Sequence, residues 1–326
     1  MSSVSSRPLI TVAGASSKQG RSVAAALLDS GRYRVRALGR NAESPALRAL
    51  ARRGAEIVVT PLEVGHHAEL VAALRGSYGA FLMTPPTPPA PPPGRPELAL
   101  GIALADAALA AGVEHVVWSS LENVEERTAG ALWAPHFTEK ALVEAHLRAL
   151  PISSSFIQLA FFYTNFLEYY VPRKESDGSL TFAVYLPPDA RMPFVDPLTA
   201  TGPAVLAHFD DPKSYAGRTL PVVGDLLTAR ELVETFVRVT GRRATYASAY
   251  AREELLAHFP AFGADEWLVR EVVGMVTYAV EYGYYAPERD LAWSRRNDPA
   301  ALTWEGFLRR SGWRGEPVGF GAAMGA

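Results

Sequence analysis

The sequence predicts an α/β fold, a Rossmann-like doubly wound parallel sheet followed by a smaller C-terminal α+β lobe. In the first 160 residues, short runs rich in β-branched residues alternate with longer Ala/Leu-rich stretches of helical period. This alternation is typical of βαβ units, and right-handed crossovers between such units build a doubly wound sheet. We therefore divide the chain into a main domain, residues 1–160, and a smaller lobe, residues 161–326, some segments of which are candidates to complete the main sheet.

Each strand and helix is indicated by its hydrophobic period and by the residues that bound it. The first strand, LITVA at 9–13, is rich in β-branched residues and leads into a helix with one apolar face at 19–30. The pattern repeats with strands at 33–38, 55–60, 80–84, 115–119 and 153–158 and helices at 45–53, 68–75, 97–111 and 137–150. The smaller lobe mixes strands at 181–185, 192–195, 219–223 and 245–248 with helices at 198–209, 229–240, 264–280 and 303–310.

One segment departs from this pattern. Residues 85–96, PPTPPAPPPGRP, contain eight prolines and are called the proline segment below. Proline fixes its own φ angle and has no N–H to donate, so such a segment cannot form a helix or an inner strand. We predict a stiff, polyproline-like loop.

The composition excludes several classes of function. The 326 residues include no cysteine, which excludes disulfides, thiolate catalysis and cysteine-based metal sites. A formal charge of −2 gives no reason to expect direct nucleic-acid binding. No apolar stretch suits a signal peptide or a membrane span, so we expect a cytoplasmic protein that does not associate with membranes. The adjacent His66 and His67 would project in different directions, so no metal site is expected.

The turn between the first strand and the first helix, GASSKQG at 14–20, has the features of a phosphate-binding loop. Gly14 permits a tight turn, and Gly20 lets the helix approach the sheet, so that the N–H groups at the helix start face a pyrophosphate. Ser17 stands where a middle glycine is usual. A plain strand–helix turn is the alternative. We predict a NAD(P)-binding Rossmann domain whose loop residues are Gly14, Ser16, Ser17, Lys18, Gln19 and Gly20.

The end of the second strand favours NADP(H) over NAD(H). An NAD site uses an acidic residue there to bond the ribose hydroxyls. Here the strand ends in Arg40 and Asn41, and no acidic residue occurs before Glu43. A guanidinium at this place suits a 2′-phosphate, and Lys18 is placed to help. A solvated surface arginine is the alternative.

These features resemble the NmrA-like family, an atypical branch of the short-chain dehydrogenase/reductase superfamily that includes NADP(H)-sensing regulators. The resemblance covers nearly the whole chain and implies an NADP(H)-binding Rossmann domain with a small C-terminal lobe. The matching stretches are VAGASSKQGRSVAAALL (12–28), VRALGRN (35–41), HVVWSSLENV (115–124), AGALWAPHFTEKALVEAHL (129–147), FFYTNFL (161–167) and LTWEGFL (302–308).

The resemblance also implies roles for single residues. The loop residues would hold the pyrophosphate, and Arg40 with the adjacent Asn41 the 2′-phosphate. Pro61 and Ala160 depart from the family, which often has an acidic residue and usually a proline at these positions. The remaining implied contacts are Glu63 near the adenine, Thr84 and Pro85 beside the nicotinamide ribose, Lys140 on the ribose hydroxyls, and Phe161, Phe162 and Asn165 at the nicotinamide end.

Catalysis depends on one position. Active reductases of the superfamily use Tyr-x-x-x-Lys on a helix, where both side chains share one face. This chain has His136 in the tyrosine position and Lys140 in the lysine position, and Ser119 or Ser120 would supply the usual hydroxyl. An imidazole, with a pKa near ~6.5, can donate a proton at neutral pH. A structural His136, and hydride transfer that needs no protein acid, are the open alternatives.

The phosphate-binding loop is intact, but the tyrosine of Tyr-x-x-x-Lys is missing, and this combination is compatible with two functions. The sequence favours an NADP(H)-sensing regulatory protein with little or no turnover, whose affinity for a protein partner follows its cofactor state. The alternative is an NADPH-dependent oxidoreductase of a small apolar carbonyl or quinone, with a place in biosynthesis. A scaffold that has lost cofactor binding is a third alternative.

Overall fold

The structure, a computed structural model, describes residues 7–85 and 87–318. Within these ranges the strands form three sheets. The strands are β1 (Leu9–Val12), β2 (Arg34–Gly39), β3 (Glu56–Val59), β4 (Gly79–Leu82), β5 (His115–Ser120), β6 (Ser153–Leu159), β7 (Phe161–Phe162), β8 (Arg173–Lys174), β9 (Leu180–Val184), β10 (Met192–Val195), β11 (Thr219–Val222), β12 (Asp225–Leu227) and β13 (Ala244–Ser248).

The helices alternate with the strands through the first half of the chain and dominate its end. Two further segments are a 3₁₀ turn at Pro260–Ala264 and a π-helical turn at Ala279–Gly283. The α-helices are α1 (Lys18–Ser30), α2 (Pro45–Arg52), α3 (His67–Leu74), α4 (Pro96–Ala110), α5 (Val124–Arg127), α6 (Pro135–Ala149), α7 (Asn165–Glu168), α8 (Pro197–Asp210), α9 (Pro212–Tyr215), α10 (Ala229–Thr240), α11 (Arg252–His258), α12 (Glu266–Tyr278), α13 (Ala292–Asn297) and α14 (Trp304–Ser311).

The main sheet has seven parallel strands in the order β3-β2-β1-β4-β5-β6-β11. Helices α1, α2 and α8 pack around one face, and α3, α4 and α6 around the other. Because both faces are covered, the central strands β1, β4 and β5 are buried along their whole length. The predicted doubly wound parallel sheet with a smaller lobe is confirmed.

The chain beyond residue 160 contributes to the main sheet and also builds a separate lobe. Strand β11 pairs with β6, with Leu220 opposite Ile157, and ends the sheet on that side. The lobe contains two three-stranded sheets, β12-β10-β7 and β13-β9-β8. Its core is aromatic, with Tyr163, Phe194 and Trp304 in contact and almost completely buried.

The proline segment is irregular over most of its length. Residues 85 and 87–95 form neither helix nor strand, as predicted, and Pro86 lies outside the described residues, as do 1–6 and 319–326. Pro96 corrects the prediction, because it is the first residue of α4. A proline is accepted there because the first helical N–H has no intrahelical partner. Among the described residues, no helix is long and apolar enough to cross a membrane.

Two buried histidines connect β5, β6 and α8. His115 places its Nδ1 2.8 Å from Ser153 Oγ and its Nε2 2.9 Å from Ser155 Oγ. His208 Nδ1 lies 2.8 Å from the same Ser155 hydroxyl, and its Nε2 is buried without a hydrogen-bond partner in the described part of the chain. Burial lowers the pKa of His115 to about 4 and that of His208 to about 3. Both rings are therefore neutral in the folded protein at neutral pH.

Candidate functional site

The glycine loop joins β1 to α1 in a tight turn. Gly14 has a φ of +65°, in the left-handed region that favours glycine. A Cβ atom on Gly20 would lie 2.2 Å from the carbonyl oxygen of Gly14, so only glycine fits there. Ser17 caps α1: its Oγ accepts from the Gly20 N–H at 3.0 Å and lies 3.3 Å from Met83 Sδ. The serine in place of the middle glycine therefore stabilises the helix start.

Backbone donors remain available in this loop. The N–H groups of Ala15 and Ser17 donate to Leu38 and Gly14 carbonyls. Those of Ser16 and Gln19 donate to no acceptor among residues 7–85 and 87–318. Such donors at a helix N-terminus are suited to an anion. The loop thus has the shape and the donors that a pyrophosphate needs.

Lys140 lies at the carboxyl end of β4, inside a small polar group. Its Nζ donates to Thr84 Oγ1 at 2.7 Å and lies 2.6 Å from Glu97 Oε1, while Thr84 donates to the same carboxylate. Thr84 and Glu97 are buried, and the Lys140 side chain is mostly so. The ammonium group also lies 5.7 Å from the centre of the Trp118 ring. These contacts fix Lys140 at the edge of the sheet where Rossmann-type folds bind ligands.

Ser119 connects the end of β5 to the glycine loop. Its Oγ donates to Gln19 Oε1 at 2.8 Å, and the residue is 3% exposed. The neighbouring Ser120 Oγ donates to the carbonyl of Leu121 at 3.3 Å. The structure therefore brings Ser119, Gln19, Thr84 and Lys140 to the carboxyl ends of adjacent strands, as parallel pairing of β1, β4 and β5 requires.

His136 is held by a buried carboxylate. Its Nδ1 lies 2.6 Å from Glu271 Oε1, and its backbone N–H donates to the same oxygen at 3.0 Å. Burial opposes protonation of the ring, but the charge of Glu271 and the hydrogen bond to it outweigh burial, so the pKa of His136 is raised. Burial also raises the pKa of Glu271, and the adjacent imidazole reverses this, so the net shift is downward. The imidazolium form of His136 and the carboxylate form of Glu271 therefore coexist over a wider pH range than they would in a free histidine and a free glutamate.

A small cleft with about 10 Å³ of free space opens beside this pair, between the proline segment and helices α4, α6 and α12. We call it the proline cleft. Its lining combines proline rings with acidic side chains and one imidazole. The residues that define it are Thr87, Pro88, Pro89, Pro96, Glu97, Pro135, His136, Glu139 and Glu271.

The residues predicted for the adenosine half lie on the surface after β2 and β3. Arg40 is exposed and makes no salt bridge within residues 7–85 and 87–318. Asn41 is also exposed, and its Oδ1 accepts from the N–H of Glu43 at 2.9 Å. Glu63 is exposed beyond β3. Arg40 is thus accessible to an anion, and the role of each of these residues stays a prediction.

The residues predicted for the nicotinamide end differ in exposure. Phe161 is 4% exposed, because its ring packs edge-on against Tyr284 at a centroid distance of 4.7 Å. Phe162 and Asn165 are half-buried, and Pro85 is likewise half-buried at the end of β4. Lys18 forms a salt bridge with Glu168 of α7, which joins the glycine loop to this region. In this arrangement the Lys18 ammonium group contacts α7.

Two buried carboxylates beside the predicted catalytic residues were not predicted from the sequence. Glu97 and Glu271 are 4% and 6% exposed, and each pairs with a predicted catalytic residue. Neither residue belongs to a motif identified in the sequence. The usable signal was an acidic residue directly before an apolar run, Glu97 before LALGIALA and Glu271 before VVGMV, since buried charges are normally paired. The described residues contain no group of three or more His, Asp or Glu side chains that could hold a metal ion.

Comparison with known proteins identifies the family and the fold of the chain. The NmrA-like family matches residues 6–308. The NmrA-like family domain-containing oxidoreductase FrzB of a Cladobotryum species is 33% identical over 301 residues, which cover 86% of this chain and 87% of FrzB. Among solved structures, NmrA, a negative transcriptional regulator in complex with NADP, matches with a TM-score of 0.73 at 22% identity, over 93% of this chain and 94% of NmrA.

The fold is shared with enzymes as well as with that regulator. The Citrobacter triphenylmethane reductase complexed with NADP(H) matches with a TM-score of 0.72 at 17% identity, over 92% of this chain and 99% of the reductase. At this identity the match concerns the fold alone. The family match over nearly the whole sequence, together with the glycine loop and the His136–Lys140 helix described above, places this chain in the NmrA-like family.

Proposed function

We propose that the chain is an NADP(H)-dependent oxidoreductase of the atypical short-chain dehydrogenase/reductase type. The observation that carries this proposal is the buried group of Lys140, Thr84 and Glu97, which lies at the carboxyl edge of the sheet close to the glycine loop. Ligands of such sheets bind at this edge. The related FrzB is named an oxidoreductase, which favours an enzyme over a purely regulatory protein.

The loop residues fit the proposed cofactor. The unbonded N–H groups of Ser16 and Gln19 would hold the pyrophosphate, and the glycine at position 20 keeps the helix start close to it. Thr84 and Lys140 would contact the nicotinamide ribose, and Phe162 and Asn165 border the same end of the sheet. When bound, the reduced nicotinamide supplies a hydride. The residues of this chain would bind the cofactor, orient the substrate and supply the proton that the reduced substrate needs.

Arg40 is proposed to distinguish NADPH from NADH. We expect Arg40→Ala to weaken NADPH binding tenfold or more, about 1.4 kcal/mol, and to leave NADH binding unchanged, because only NADPH carries a 2′-phosphate. Parallel calorimetric titrations with the four nicotinamide cofactors measure this. Arg34→Ala, at the exposed start of the same strand, is the matched control. Equal losses of affinity for NADPH and NADH in Arg40→Ala would contradict the assignment.

A small apolar carbonyl or quinone is the proposed substrate. Using a panel of such acceptors, we expect Lys140→Ala to lower kcat/KM for NADPH consumption about 100-fold, because the ammonium group at the end of β4 is lost. Absorbance at the NADPH band follows the reaction. Lys174→Ala, an exposed lysine on β8, should retain the wild-type rate. Unchanged turnover in Lys140→Ala would remove the proposed site.

NADP(H) sensing is the second candidate function. The observation that favours it is that Lys140 and His136 already have carboxylate partners, Glu97 and Glu271, so neither cation is unpaired. For sensing, the cofactor must bind one arrangement of the lobes more tightly than another, and a protein partner must read the difference. To test sensing, the same protein preparation captures partners from a lysate with and without NADPH, and the two sets of bound proteins are compared. Identical partner sets in both states would contradict sensing.

A further inference from the structure

We infer that His136 and Glu271 form a proton-donating pair, and that substrate meets it in the proline cleft. This inference rests on the proposed oxidoreductase function and adds the proton donor that the missing tyrosine leaves open. His136 is the catalytic residue of the pair. Glu271 is a positioning residue, because it acts through the imidazole.

The geometry assigns each ring nitrogen a task. Glu271 Oε1 accepts from both the Nδ1 and the backbone N–H of His136, at 2.6 and 3.0 Å, so one oxygen fixes the ring and the helix start together. Nε2 makes no hydrogen bond with residues 7–85 and 87–318, while the ring lines the cleft and is about one-third exposed. Nε2 is therefore the nitrogen available to a substrate, and Nδ1 is the one that Glu271 controls.

The surrounding charges favour the protonated ring. Helix α12 contributes Glu271, α4 contributes Glu97, and α6 contributes Lys140 one helical turn from His136. The two carboxylates raise the pKa of the imidazole, and the ammonium group of Lys140 lowers it. Lys140 is itself paired with Glu97, which limits its repulsion of the ring. The net effect raises the pKa of His136, which favours the protonated ring that a general acid needs.

The cleft suits one end of a substrate. Its free space of about 10 Å³ holds about one water-sized group, so a carbonyl oxygen fits there and the rest of the substrate lies outside. Proline rings form part of its lining, and the His136 imidazole and three carboxylates form the polar part. This gives the proline segment a role as one wall of the substrate site.

The chemical step balances with this donor. The carbon of a carbonyl, or of a quinone ring, would accept the hydride that bound NADPH gives up in becoming NADP⁺, and the C=O π pair moves to oxygen. The imidazolium gives its Nε2 proton to that oxygen, forming an O–H bond and leaving neutral imidazole. Glu271 stays ionised throughout. Solvent returns the proton through the exposed side of the ring.

Imidazole NMR of the full chain tests the pairing without any turnover. We expect the His136 resonance, assigned by its loss in His136→Gln, to titrate above pH 6.5 in the wild type. Glu271→Gln keeps an oxygen that accepts both N–H groups and removes the charge, so the midpoint should fall by about 1–2 pH units. Glu139→Gln, which removes a carboxylate from the same cleft that has no contact with His136, should leave the midpoint unchanged. An unchanged midpoint in Glu271→Gln would overturn the inference.

Steady-state kinetics test the proton transfer. We expect His136→Gln to lower kcat about 100-fold at pH 7 and to bind NADPH as the wild type does. Wild-type kcat should fall as the pH rises through the His136 midpoint, and in Glu271→Gln this fall should begin at lower pH. A His136→Gln variant with wild-type kcat and pH profile overturns this inference alone. A wild-type chain that consumes no NADPH with any acceptor overturns the proposed function, and the inference with it.

Discussion

Gly20→Ala is expected to abolish dinucleotide binding and to lower the free energy of unfolding by about 3 kcal/mol. The added Cβ would lie 2.2 Å from the Gly14 carbonyl oxygen and 2.7 Å from Ala15 Cα, which are backbone atoms of the loop itself. The helix start must therefore move away from β1, and the N–H groups that point at the pyrophosphate move with it. Urea unfolding and NADPH titration of the same preparation measure both effects.

The other end of the same helix provides the control. Gly31 caps α1 with a φ of +65°, and a Cβ there would meet nothing within 4 Å. Gly31→Ala should cost about 1 kcal/mol from backbone strain and leave NADPH affinity unchanged. If Gly20→Ala bound NADPH with wild-type affinity, the loop would not be the pyrophosphate site.

Acidification is expected to destabilise the protein through its buried histidines. The folded-state pKa is about 4 for His115 and about 3 for His208, both below the unfolded value near ~6.5. The unfolded chain therefore binds more protons between these values. Stability from the neutral rings is complete above pH ~6.5 and is lost as the pH falls toward 4. His208 alone should account for about 3 kcal/mol between pH 7 and pH 4.

His208→Asn isolates this contribution. The variant lacks the titrating ring, so its stability should fall less steeply than that of the wild type between pH 7 and pH 4. Urea unfolding at several pH values in this range gives the two slopes. His67→Asn, an exposed histidine at the start of α3, should keep the wild-type slope. Parallel slopes for wild type and His208→Asn would show that the buried ring does not determine acid stability.

The main sheet could be predicted because its signals are local. Strand β1 is a short apolar run bounded by Arg7-Pro8 and Gly14. Helix α1 has one apolar face between its caps Ser17 and Gly31, so its hydrophobic period and its capping residues indicate the same helix. Elements without such periodicity were missed, among them β12, α11 and the 3₁₀ turn at Pro260–Ala264. The strand β12 has three residues and exists because Leu227 and Asp225 pair with β10. Such pairing depends on tertiary contacts that no short window contains.

The candidate site was also predictable only where its residues are close together in the sequence. Residues in one motif, such as Gly14 to Gly20 or His136 and Lys140, are close in sequence, and their spacing alone placed them together. The partners of His136 and Lys140 were not predictable. Glu271 and His136 are 135 positions apart in the sequence. Glu97 directly follows the proline segment, whose composition obscures the sequence signal for the start of α4. The packing of α4 against α6 brings Glu97 to the site, and the hydrogen bonds from His136 to Glu271 connect α12 to it.

The place of β11 in the sheet has a consequence for synthesis of the chain. β11 pairs with β6 although about 60 residues separate them, and α8, which covers α1, lies in the same interval. At roughly 5–20 residues per second, a ribosome takes several seconds to deliver this stretch after β6 has emerged. During that time β6 presents an unpaired edge and α1 an uncovered apolar face, both of which favour aggregation. The main sheet is therefore most exposed to aggregation during synthesis in the interval before β11 arrives.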